Sequence, residues 1–346
     1  MEISAYNSQK LKILGFVAIV LVIFIHSHFI EAHEFRNVEM FQMFTGTFGI
    51  SGVAVPLYYF ISGLLFFKSV KCVKDCTINI KKRARSLLIP YIIWNLVFIS
   101  WYILFSMIPV ISRFVIDGPQ NKILTSSLGE SLYFLFITPV GFHLWFLRDL
   151  IFFTMITPLL YVLIRKVPIV TIILTYVVSC CLSRFGLVYF VIGGYISLHN
   201  KLLDFDKLLQ GKITLVCLAI YIVNSLIASF SSPYPIWLMN PAYQQIISII
   251  SIMAVWGGYN QIVPKKFRLS SKWNDLMNYT FFIYLFHEPV LNIFKKIGII
   301  QLGVNEISLL LLYVCIPFIM LVIALMVGYY WKRLLPTIYG VFTGGR

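Results

Sequence analysis

Charge is what this chain has least of. Its 13 Asp and Glu and 28 Lys and Arg make up only 12% of 346 residues, where an ordinary soluble domain carries roughly a quarter. That excludes a water-soluble globular fold. Cysteine motifs are missing as well: Cys72, Cys76, Cys180, Cys181, Cys217 and Cys315 form no C-x-x-C, and no histidines pair at zinc spacing. A disulfide scaffold, a metal site and a redox centre are therefore not indicated, and the cysteines read as reduced packing residues. No stretch after the first ten residues is long enough for a separate soluble domain. The net charge of +15 thus does not mark a soluble nucleic-acid reader. Nor is there an internal repeat of the kind that marks two inverted transporter halves.

What remains is apolar sequence, 60% of the chain. Runs of membrane-spanning length recur from residue 11 to 331, and a bilayer core takes about 20 apolar residues per helix. The candidate spans are 11–30, 46–67, 86–110, 142–164, 168–183, 185–198, 212–230, 243–263, 276–294 and 306–331. The expected fold is all-α: a polytopic integral membrane protein of about ten helices, one domain over 1–346 with no appended soluble domain. The apolar start lacks a small-residue cleavage site and reads as a retained first helix. Ser131 to Gly141 is too short to span and reads as a half-helix or re-entrant piece. The spans 168–183 and 185–198, joined by Arg184, read as a tight hairpin or a tilted pair. Summed over alternate loops, one side carries +16 and the other, with Glu31, Glu34, Glu39, Asp117 and Glu130, carries −1. By the positive-inside rule both termini face the cytoplasm.

An ionisable residue within a span is costly and points to function. His26, in LVIFIHSHF, lies about 21 Å past Lys12 along the helix and has no polar neighbour in the two preceding turns. His28 is about 200° further around the helix, so the two rings face different ways. His28 and His199 are read as structural or interfacial. The segment FHLWFLRDL offers His143 and, about 8 Å deeper, Arg148 and Asp149. Adjacent positions on a helix diverge, so each of these two is expected to need a partner from another helix. FFIYLFHEPVL brings His287 and Glu288 to an outer depth similar to that of His26, before a helix-breaking Pro289. Its aromatic residues Phe281, Phe282, Tyr284 and Phe286 read as core or lipid-facing. On the cytoplasmic side, Lys81, Lys82, Arg83 and Arg85 suit phosphate oxygens, although such clusters also set topology and bind anionic lipid. If the segment is helical, Arg83 and Arg85 point about 200° apart.

Together these segments resemble the acyltransferase family 3 membrane proteins, many of which O-acetylate cell-surface polysaccharides. The resemblance rests on His26 in the first helix, VPLYYFISGLLFF at 55–67, Arg83 and Arg85 before IPY, HLWFL at 143–147 and FFIYLFHEP at 281–289. It implies a bacterial inner-membrane enzyme that takes an acetyl group from acetyl-CoA, with Arg83, Arg85 and neighbouring Lys82 engaging the donor from the cytoplasm. His26 is then the essential catalytic residue, as general base or as acyl carrier, with His287 and Glu288 beside it. His143, Trp145, Arg148 and Asp149 form the acceptor side, where Arg148 could favour an oxyanion. A neutral imidazole suits removal of a hydroxyl proton near neutral pH. The acceptor is a lipid-linked or envelope polysaccharide such as O-antigen, capsule or exopolysaccharide. Other contacts are membrane lipids, with no metal and no nucleic acid. The small Ser62 and Gly63 allow close helix approach along a route for the donor's pantetheine arm. Where the family often opens its first helix with an acidic residue and then an arginine, this chain has Lys12 and Gly15. A polytopic transporter or flippase of a glycolipid or small solute is the alternative; it predicts binding or flux without CoA.

Overall fold

The computed structural model describes residues 3–107, 127–182, 186–231 and 235–345. Arg184, Asp117, Glu2, Arg346 and the end of the 86–110 span lie outside the described residues. Among those described, the regular structure is entirely helical. In chain order the α-helices are α1 (Ala5–His26), α2 (Arg36–Thr45), α3 (Ala54–Phe67), α4 (Val73–Arg83), α5 (Ile89–Ser106), α6 (Leu128–Phe136), α7 (Trp145–Met155), α8 (Thr157–Lys166) and α9 (Pro168–Cys181). They continue as α10 (Leu187–Leu198), α11 (Leu202–Leu208), α12 (Lys212–Phe230), α13 (Ile236–Met239), α14 (Pro241–Ile262), α15 (Ser271–Leu276), α16 (Thr280–Leu302), α17 (Glu306–Leu334) and α18 (Pro336–Thr343).

Local chemistry sets the boundaries. Ser4 caps α1 by accepting from the Asn7 N–H at 3.2 Å, and Asn240 caps α14 by accepting from the Ala242 N–H at 2.9 Å. Ser127 and Glu130 form a capping box on α6, the reciprocal arrangement that satisfies two orphan donors at once. Proline opens α9, α14 and α18 in the first turn, where its missing N–H costs nothing.

Among the described residues, five helical segments are long and apolar enough to cross a bilayer: Ala5–His26, Arg36–Phe67, Val73–Leu104, Lys212–Phe230 and Glu306–Leu334. A sixth is added if Phe142–Met155 with Thr157–Lys166 is one broken span. This falls short of the ten expected. The physical reason is length and polarity: α9 and α10 have 14 and 12 residues, about 21 and 18 Å at 1.5 Å per residue, against a core of about 30 Å. Helices α14 and α16 have 22 and 23 residues but are interrupted by polar side chains, Gln244, Gln245, Asn260 and Gln261 in the one and Glu288, Lys295 and Lys296 in the other. The expected start at residue 46 also moves. An extended Gly46 ends α2, and a 3-10 turn over Ile50–Val53 leads into α3.

The chain divides into two compact units, one of residues 1–77 and 156–326 and a second of 78–155 and 327–346. In the first unit α3 and α10 meet backbone to backbone. A Cβ on Gly63 would come within 2.0 Å of the Phe190 carbonyl oxygen, and one on Gly193 within 2.1 Å of the Phe60 carbonyl oxygen. Only glycine permits that approach on both sides, so Gly63 serves packing against α10. Phe60 stands edge-on to Trp256 at 5.4 Å, and Phe66, Phe67 and Phe190 close the same core. Of the cysteines only Cys76 and Cys217 are buried packing residues; Cys72, Cys181 and Cys315 are exposed.

The first unit also holds a buried ion pair. Lys10 is fully buried within α1, with Nζ 2.7 Å from Asp206 Oδ1 of α11 and 4.4 Å from the Trp256 ring centroid. The same oxygen accepts from Trp256 Nε1 at 2.8 Å and Asn260 Nδ2 at 3.1 Å, while Asn7 Nδ2 donates to Oδ2 at 3.2 Å. A lysine one residue ahead of the expected first span, 11–30, is thus a structural lock joining α1, α11 and α14. Burial pushes the Asp206 carboxyl up, but the Lys10 ammonium and the Trp256 and Asn260 donors outweigh it and hold the group below its ordinary value. Replacing Asp206 by Ala strands a buried ammonium, a loss of about 3–5 kcal/mol, read as a lowered melting temperature of the purified protein in detergent. The carboxylate's contribution is complete above about pH 4, the ordinary Asp range, and disappears as pH falls through its depressed folded value. Acid melts of wild type and Asp206→Ala should therefore converge.

Candidate active site

The first helix delivers His26 at its last turn, and α16 delivers His287 and Glu288. Pro289 breaks α16 at Glu288, whose backbone is extended at φ −104° and ψ 141°. The His26 and His287 rings lie 5.3 Å apart, tilted by 37°. His287 is fully buried, and its Nδ1 lies 2.7 Å from the Tyr284 carbonyl oxygen. That contact makes Nδ1 the protonated nitrogen. Glu288 is buried too and accepts from Asn292 Nδ2 at 2.7 Å. The structure thus brings together the two segments placed at similar depth by sequence. His28 takes another course, its ring 6.4 Å from that of His33 and tilted by 57°, and His33 in turn pairs with Glu39 at 2.5 Å.

Two polar residues here are not evident from sequence. Lys295 Nζ reaches the carbonyl oxygens of His26, at 3.3 Å, and of His28, and Asn292 holds Glu288. The signal was present as Glu288, Asn292 and Lys295 at positions i, i+4 and i+7, one face of a helix. With the span ended at 294, however, Lys295 reads as a loop residue. The helix runs on to Leu302 and carries the lysine with it.

The second unit holds the remaining candidates. His143 is buried in a 3-10 turn (Phe142–Leu144), edge-on to Phe98 at 5.1 Å. Trp145, half-buried, opens α7. Arg148 and Asp149 correct an expectation: they pair with each other, Nε and Nη2 of Arg148 donating to Asp149 Oδ1 at 2.9 and 2.7 Å. The rule that neighbours on a helix diverge applies to their Cβ directions, and the long guanidinium arm folds back across the gap. Its Nη1 meanwhile donates to the Ile137 carbonyl oxygen just beyond α6. Asn95, buried in α5, supplies the same half-helix: Nδ2 donates to the Phe134 and Leu135 carbonyls at 3.3 and 2.9 Å, and Oδ1 accepts from the Val140 N–H at 3.0 Å. The segment expected to be a half-helix ends on these donors.

The basic run is helical. After α4 comes a π-turn over Ala84–Leu88, closed by the Ile89 N–H donating to the Ala84 carbonyl. Pro90, which has no N–H to offer Ser86, accounts for the irregularity. Lys81, Lys82, Arg85 and Ser86 share one face and line a cavity of about 420 Å³ with Gly344. Arg83 is not among its lining residues. Gly344, at φ +67°, approaches so closely that a Cβ would sit 2.5 Å from the Ser86 carbonyl oxygen. The tail is held there by Trp94 Nε1, which donates to the Phe342 carbonyl at 3.1 Å. Three cations around a space of this size can take a phosphorylated ligand.

A histidine pair where two helices break or end can pass a proton. Residues 10–329 match the model of the acyltransferase domain family. The chain belongs to that family and is an acyltransferase. Among curated proteins it is similar to the succinoglycan biosynthesis protein ExoH of Rhizobium meliloti (strain 1021), with 26% identity over 358 residues, covering 98% of this chain and 92% of that protein. No solved structure matches it significantly.

Asp149→Ala leaves Arg148 without its carboxylate, a loss of about 1.5–3 kcal/mol for hydrogen bonds to a charged group. It is measured as a drop in melting temperature, with Asp149→Asn losing less.

Proposed function

We propose that this acyltransferase moves an acetyl group from acetyl-CoA, bound at the cytoplasmic face of the bacterial inner membrane, to a hydroxyl of a cell-envelope polysaccharide. The observation that carries this reading is the His26–His287 ring pair at the end of a first helix whose two preceding turns are apolar. The family supports acyl transfer, and the relative's part in succinoglycan biosynthesis favours a polysaccharide acceptor. His26 takes the hydroxyl proton as the oxygen attacks the thioester carbonyl, and returns it to the CoA sulfur as the C–S bond breaks and the thiol leaves; alternatively its imidazole accepts the acetyl group, giving its own proton to the departing CoA thiol, and then passes the acetyl to the hydroxyl, whose proton it regains. His287 and Glu288 orient and balance it. Arg85 and Lys82 hold donor phosphates in the basic cavity, with Arg83 beside it on the same segment. His143, Trp145, Arg148 and Asp149 lie on the acceptor side. Both termini face the cytoplasm.

Labelled acetyl transfer by the purified protein tests this. His26→Ala should lose at least a hundredfold in turnover, and wild-type activity in that variant would refute the reading. Labelled protein trapped in the absence of acceptor would select the acyl-histidine route. Replacing Lys82 and Arg85 together by Ala should weaken CoA binding tenfold or more in calorimetry, leaving membrane insertion intact; unchanged affinity would place the donor elsewhere.

A further inference from the structure

Helix α1 ends at His26 inside apolar surroundings, and the last four carbonyls of any helix lack intrahelical partners. Two of them are dealt with locally: the Ser27 N–H donates to Ile23 and Phe24 at 3.0 and 3.2 Å, and Ser27 Oγ donates to Ile23 at 2.8 Å. The carbonyls of His26 and His28, on either side of Ser27, both receive Lys295 Nζ. The Phe29 ring, 5.2 Å from the ammonium, covers it. A lysine half-buried between two helices is costly unless something requires it. Here it does what a C-terminal cation does at a helix end, but across two helices.

The arrangement ties the backbone of His26 to the face of α16 that also carries Glu288 and Asn292, seven and three positions earlier. The two helices are thereby fixed where the His26 and His287 rings meet. We propose that Lys295 is a positioning residue for acyl transfer, setting the orientation of the His26 imidazole by gripping the carbonyls of His26 and His28. This rests on the reading in which His26 carries the chemistry.

The test compares wild type, His26→Ala, Lys295→Met and Lys295→Arg as purified full-length proteins in labelled acetyl transfer, with melting temperature and CoA stoichiometry measured on each. Lys295→Met should lower kcat at least tenfold with KM for acetyl-CoA within twofold of wild type. Lys295→Arg, which can still donate to two carbonyls, should recover at least half of the lost activity on a logarithmic scale. If Lys295→Met does not fold, Lys295→Gln takes its place with the same thresholds. A kcat within twofold of wild type, or an arginine variant no better than the methionine one, overturns the inference. The two readings fail separately: an active His26→Ala sinks the role of the histidine, whereas an inactive His26→Ala beside a fully active Lys295→Met sinks only the lysine.

Discussion

A helix that stops inside an apolar medium must pass its last carbonyls to a donor, because no water is there to take them. This protein meets that requirement with side chains from neighbouring helices. Lys295 serves the end of α1, and Asn95 with Arg148 serves the end of α6. In both places the residues that settle the backbone also stand next to the candidate chemistry. Backbone satisfaction and site geometry are therefore one problem here, and a change made for one alters the other.

Packing supplies the rigidity that such an arrangement needs. Gly63 and Gly193 let α3 and α10 touch along their backbones, in the manner of small-residue contacts between membrane helices. The Lys10–Asp206 lock fixes the opposite end of α1. The first helix is thus held near both ends by charged groups, one at a carboxylate and one at carbonyls, with apolar contacts between. An imidazole on its last turn has little freedom to wander.

Much of this was legible in the residues. Scarce charge and long apolar runs gave an all-helical membrane protein, and His26, His287 and Glu288 stood out because polar groups are conspicuous against Leu, Ile and Phe. Span number was less legible, since α9 and α10 are apolar but short and α14 and α16 are long but more polar. Lys10 and Lys295 are hard to place from sequence for one shared reason: each falls one residue outside a boundary drawn from hydropathy, 11–30 or 276–294, and hydropathy treats a lysine as an edge rather than as a buried partner. Arg148 and Asp149 show a different limit. Helical spacing describes where side chains leave the backbone, and a flexible arginine can undo the divergence it implies.

The π-turn between α4 and α5 carries one last implication. It takes up a residue more than a regular turn would, and that surplus sets the angular phase between the cation-bearing face of Lys81, Lys82 and Arg85 and the tail-gripping face of Trp94. Were the same residues to run as regular α-helix, one face would swing about 100° from the other; losing one residue together with the wide turn would keep them in phase. Drift in sequence at this joint is free to swap side chains, so long as the surplus residue and the wide turn persist or vanish together.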